Sequence, residues 1–137
     1  MKILQLCYKP PFPVVDGGSM GMHTLTMGLL NNEHKVKVLA FNTFKHPVKI
    51  SELPKEYIEK TQFETIFVNL KLNVFSALCS FIKNESYHVK RFYCQEMEER
   101  LDSLLKEEEF DVIQLESIFL SHYISVIRKN SKAKIVL

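Results

Sequence analysis

Two short apolar runs, Lys2 to Tyr8 (KILQLCY) and Lys35 to Phe41 (KVKVLAF), bracket a loop rich in proline and glycine and an amphipathic stretch. A buried strand, a glycine-bearing turn, a helix and a second strand in that order make a βαβ unit. Its crossover is expected to be right-handed and its strands parallel. In the intervening helix, expected over Ser19 to Leu30, Met22, Leu25, Leu29 and Leu30 fall at helical spacing, and Asn31-Asn32 ends it. Ser19 is the expected N-cap, since its hydroxyl can accept from a free first-turn N–H.

The same alternation continues along the chain. Asn42 to Gln62 is polar and holds Pro47 and Pro54, so it reads as loop with a helical turn near Lys55 to Lys60. Thr65 to Asn69 (TIFVN), Asp111 to Leu115 (DVIQL) and Lys134 to Leu137 (KIVL) read as further strands. Between them lie three helical stretches. Asn73 to Lys83 is very apolar on more than one face. Tyr87 to Lys106 turns Met97, Leu101, Leu104 and Leu105 inward. Ile118 to Arg128 turns Tyr123, Ile124 and Ile127 inward. Strands alternating with helices predict an α/β fold, a Rossmann-like open, mostly parallel sheet with helices on both faces. Ligands of such sheets bind beyond the carboxyl ends of the strands, where strand order reverses.

The 137 residues fit a single domain spanning 1–137, and 46% apolar with 25% charged residues is ordinary for a globular protein. A net charge of +2 does not supply the concentrated basic face that nucleic acid requires. Cys7, Cys79 and Cys94 are far apart and form no C-x-x-C pair, so reduced, packed thiols and no metal are expected. Met1-Lys2 leads into the first strand without a cleavage-site pattern, and Phe63 to Ile82 is interrupted by Glu64, Asn69, Lys71 and Asn73. The expectation is a cytoplasmic protein without a membrane span.

The chemistry concentrates in the loop KPPFPVVDGGSMG, Lys9 to Gly21. Glycine admits a ligand close to the backbone, and free N–H groups at a helix start favour anions. Two known phosphate loops do not fit. G-x-G-x-x-G would need glycine where Asp16 stands, and Ala40-Phe41-Asn42 offers no acid for a ribose. The Gly-Lys-Ser/Thr of a Walker loop is missing from the sequence. Gly17 and Gly18 can equally serve only to make the turn.

Taken together, the MKIL strand, the loop of form P-x-P-x-x-x-G-G, a His in the first helical turns, HKVKVLAF, EEEFDVIQLES and KIVL resemble the N-terminal domain of GT-B glycosyltransferases. The retaining group called glycosyltransferase family 4 is the nearest type. The resemblance spans the whole chain but only half of such an enzyme. It implies an acceptor-side domain whose donor-binding partner domain lies beyond this chain, inactive alone. Transfer would run from a nucleotide-sugar donor to a glycan or lipid-linked acceptor, with retention and without metal or other cofactor.

On that resemblance Gly17, Gly18 and Ser19 form the loop at the donor diphosphate or acceptor, and Asp16, His23, Glu116 and Ser117 line the acceptor cleft. The family's H-x-H ending of the D-V-I strand is not kept. Gln114 and Glu116 stand there, so a histidine role does not transfer. Each residue also has a plain structural reading. His23 can be a helix-surface histidine, Asp16 an Asx-type brace, and Glu116 a cap for the helix at Ile118. SYHVKRFY, Ser86 to Tyr93, mixes cations with aromatics. With the apolar helix before it, it is a candidate peripheral membrane contact for a lipid-linked acceptor, or an ordinary helix start with snorkelling cations. The competing functions are a non-catalytic α/β ligand- or protein-binding module and a GT-B-like sugar-nucleotide epimerase.

Overall fold

The computed structural model describes residues 1–69 and 92–137. Its elements are β1 (Lys2–Cys7), α1 (Gly17–Asn31), β2 (Lys35–Asn42), a 3-10 turn (Ile50–Glu52), α2 (Lys55–Thr61) and β3 (Glu64–Phe67). After the gap in the description come α3 (Gln95–Glu107), β4 (Val112–Leu115), a 3-10 helix (Ile118–Tyr123), α4 (Ile124–Asn130) and β5 (Lys134–Val136).

The five strands among the described residues form one all-parallel sheet in the order β3-β2-β1-β4-β5. The chain winds outward from β1 through β2 to β3, then returns to the other side of β1 with β4. The switch point therefore lies between β1 and β4, at their carboxyl ends. This is the Rossmann-like α/β architecture expected from the alternation.

Side-chain alternation divides the core between the two faces of the sheet. Leu4, Leu6, Leu39, Phe41, Ile113 and Leu115 pack against Met97, Leu101, Leu104 and Leu105 of α3 and Val126 and Ile127 of α4. Cys7, Val36, Val38 and Ala40 face Met22 of α1 and Tyr57 of α2. The apolar stripe of α3 is the one its periodicity predicts. Glu96 and Glu98 in its first turn and Lys106 in its last suit the helix dipole.

Some boundaries differ from the sequence reading. Helix α3 begins at Gln95. The stretch before it, Phe92 to Cys94, is held by Tyr123, whose hydroxyl donates to the Phe92 carbonyl (2.8 Å) and accepts from the Cys94 N–H (2.9 Å). The helical turn expected near Lys55 to Lys60 is α2, ended by Gln62 in the left-handed region at φ 43°. Ile124 is exposed rather than inward. The 3-10 winding before it has three residues per turn, so a phase extrapolated at 3.6 fails there. The apolar helix expected over Asn73 to Lys83, the Tyr87 to Arg91 portion of the next, most of SYHVKRFY and Cys79 lie outside the described residues. Among the described residues, no helix is long and apolar enough to cross a membrane.

Candidate functional site

The turn after β1 and the turn after β4 flank the switch point. In the first, the glycines lie inside the helix, not in a loop before it. Gly17 and Gly18 are the first two residues of α1, and no glycine among the described residues has a positive φ. The N-cap is Asp16, not Ser19. The Asp16 carboxylate accepts from the Ser19 N–H (2.9 Å), and the Ser19 hydroxyl accepts from the Asp16 N–H (3.0 Å) and the Val15 N–H (2.9 Å). This is a reciprocal capping box with acid and hydroxyl in exchanged places. Ser19 is fully buried within it. The loop before it contains a cis Phe12–Pro13 bond.

Lys9 is the residue that sequence reasoning passed over. Its side chain is 8% exposed, and its ammonium meets both Asp16 carboxylate oxygens, at 2.5 and 2.6 Å. A Cβ on Gly18 would lie 2.5 Å from Tyr8 Oη and 2.9 Å from Lys9 Nζ. Glycine at this position thus makes room for the Tyr8 hydroxyl and the Lys9 ammonium against the helix start. Capping satisfies the Ser19 N–H, so the N–H groups of Gly17 and Gly18 remain as first-turn donors without a partner among the described residues.

The Lys9 ammonium, then the Ser19 N–H, hold the Asp16 carboxyl well below the usual carboxylate range. A depressed acid adds stability above its unfolded pKa, near 4, that is lost as pH falls through the folded value. Asp16→Asn keeps a competent cap but not the charge. It is expected to melt lower than the parent at pH 6, with the gap closing below about pH 4. Thermal melts from pH 6 to 2 check this, and a gap independent of pH would mean the ion pair carries no linkage.

The second turn presents Glu116 and Ser117. Ser117, not Glu116, caps the helix at Ile118, its hydroxyl accepting from the Phe119 N–H (3.2 Å). Glu116 Oε1 instead accepts from Gln5 Nε2 (2.8 Å). Burial pushes the Glu116 carboxyl up, partly offset by the Gln5 hydrogen bond. Gln5, from the middle of β1, is fully buried, as is its partner Thr26 of α1.

His23 is not brought to Glu116. It packs against Phe12 (ring centroids 5.2 Å) and Tyr57 of α2 (5.8 Å), which also touch each other (5.0 Å), on the β2 side of α1, whereas Glu116 sits on the β4 side. Its Nδ1 and the Tyr57 hydroxyl have no hydrogen-bond partner among the described residues, and burial pushes the imidazole pKa down. The rim on the opposite face is aromatic. Phe92 stacks on Phe119 (4.8 Å, 3° between planes), and both meet Tyr8 edge-on at 6.3 Å. Among the described residues, no three His, Cys, Asp or Glu side chains converge as a metal site would need.

In comparisons with known proteins, no family model, curated protein or solved structure matches the chain.

Proposed function

We propose that this chain is the acceptor-side lobe of a two-domain, GT-B-type retaining glycosyltransferase. It would act in the cytoplasm on a nucleotide-sugar donor and a glycan or lipid-linked acceptor. The observation that carries the reading is the pair of Gly17 and Gly18 N–H groups, without a partner among the described residues, at the positive end of a 15-residue helix. They sit at the switch point, with the half-buried Glu116 carboxyl on the neighbouring strand end. The resemblance carried by P-x-P-x-x-x-G-G and the D-V-I strand agrees with that placement.

In this reading the two N–H groups face a diphosphate as it departs. Negative charge grows on the leaving oxygens during transfer, and fixed donors at a helix start stabilise that charge without reorganising. Glu116 would accept a sugar hydroxyl. Contacts to the nucleotide come from the second domain, so this lobe alone binds weakly and does not turn over.

The test is a titration with UDP, GDP, UDP-glucose and GDP-mannose, followed through the Gly17 and Gly18 amide resonances. Weak shifts confined to those amides and dependent on the diphosphate are expected. Silence at millimolar ligand would remove the phosphate role and favour a binding module.

A further inference from the structure

Gln5 is a polar residue where the fold least needs one. It stands in the central strand between Leu4 and Leu6, fully buried. A buried amide must satisfy both its ends, and the partners of Gln5 fix which end is which. Its Nε2 lies 3.2 Å from the Met22 carbonyl, which can only accept, and 2.8 Å from Glu116 Oε1. Its Oε1 lies 2.6 Å from Thr26 Oγ1. Turning the amide over would set Oε1 against the Met22 carbonyl, so this orientation is the only one that pairs every group. The single Thr26 hydroxyl proton has a second candidate, the Met22 carbonyl at 2.8 Å. Directed there, it would leave two oxygen lone pairs facing each other across 2.6 Å, so it points to Gln5. Hydrogen-bond polarity therefore runs from Thr26 through Gln5 to Glu116.

The chain ends on one carboxylate oxygen. Oε1 of Glu116 is taken by Gln5, and Oε2 makes no hydrogen bond among the described residues. We infer that Gln5 and Thr26 are positioning residues that clamp Oε1 of Glu116 and leave Oε2 to accept a hydroxyl from a polyhydroxylated ligand at the switch point. The ligand class rests on the function proposed above, whereas the clamp stands on the distances alone. A clamped carboxylate presents one acceptor at a fixed angle, which a freely rotating surface glutamate does not.

The clamp is tested without ligand, in the full 137-residue chain, by following the Glu116 side-chain carbonyl carbon by NMR against pH. The Gln5 bond favours the charged carboxylate, so Gln5→Leu is expected to raise the Glu116 midpoint by about one pH unit. Thr26→Val removes the anchor of the Gln5 amide without changing side-chain size. It is expected to raise the midpoint in the same direction, and Thr26→Ser to restore it. Among the described residues, the ionisable group that interacts with Glu116 is the buried Cys7 thiol of β1, which is common to all the variants.

If Thr26→Val lowers the melting temperature but leaves the Glu116 midpoint in place, Thr26 is core packing and the clamp is wrong. Should Gln5→Leu fail to fold, the Thr26 pair decides alone. The ligand half uses UDP-glucose as probe. A Glu116 shift in the parent that weakens about tenfold in Thr26→Val supports it. Movement of the Gly17 and Gly18 amides with Glu116 unmoved would overturn the hydroxyl role while leaving the proposed function standing. Silence at all three positions would refute the proposed function and take the ligand half with it, the midpoints still judging the clamp.

Discussion

Tyr123→Phe is expected to lower the melting temperature by about 8 °C, from a loss of about 2 kcal/mol in a domain of this size. The ring itself fits either way, so the effect isolates one oxygen. Tyr123 is fully buried, and its hydroxyl is the partner of both the Cys94 N–H and the Phe92 carbonyl. Phenylalanine would leave the buried Cys94 N–H and the partly buried Phe92 carbonyl without that partner, and an unmet buried group costs more than a made hydrogen bond returns. The consequence reaches the rim. Phe92 stacks on Phe119 and meets Tyr8 edge-on, so freeing its carbonyl loosens the aromatic wall beside the switch point. Thermal melts and amide exchange at Cys94 read the two effects separately. A parent-like melting temperature with a still-protected Cys94 amide would show that another acceptor takes over.

The fold was legible because a parallel sheet buries its strands on both faces. Runs such as KVKVLAF can then be read without knowing their neighbours. The stripe Met97, Leu101, Leu104, Leu105 was equally plain, since one helix face must be apolar to meet the sheet. Lys37 lies inside one of those runs. Yet it is 6% exposed and pairs with Glu64 at 2.7 Å, which Arg100 of α3 also holds. Such a network depends on residues 36 positions apart meeting in space, which periodicity does not report.

The site was legible in part for the same reason. Asp16, Ser19 and the two glycines are local, so their nearness to the helix start could be read, though the cap was placed three residues late. That error came from treating Gly-Gly as a turn. Lys9 was passed over because nothing local shows that Asp16 folds back over it. Gln5 did leave a signal, being the one amide in the buried run KILQLC. A polar residue in a strand covered on both faces needs partners, and asking for them would have pointed across the sheet to α1 and β4.

The glycines of α1 separate packing from propensity. Gly21→Ala is expected to stabilise the domain by about 1 kcal/mol, the usual helix-interior gain over glycine. A Cβ there would meet nothing within 4 Å. Gly18→Ala, three residues earlier, is expected to destabilise it by about 1 kcal/mol, because the strain of a crowded methyl outweighs any helix gain. Its Cβ would stand 2.5 Å from Tyr8 Oη and 2.9 Å from Lys9 Nζ. Lysine can swing aside, but only by leaving Asp16, which strands a buried ammonium. The Tyr8 hydroxyl rides on a ring packed edge-on against Phe92 and Phe119, so it cannot yield cheaply. The two variants should therefore melt about 8 °C apart, with the parent between them. In the nucleotide titration Gly21→Ala keeps the parent's response and Gly18→Ala loses it, since the methyl and the displaced lysine crowd the first-turn N–H groups. If both alanines stabilise equally and bind alike, then Tyr8 and Lys9 do not pack against the helix start, and glycine at 18 has no role in holding that space open.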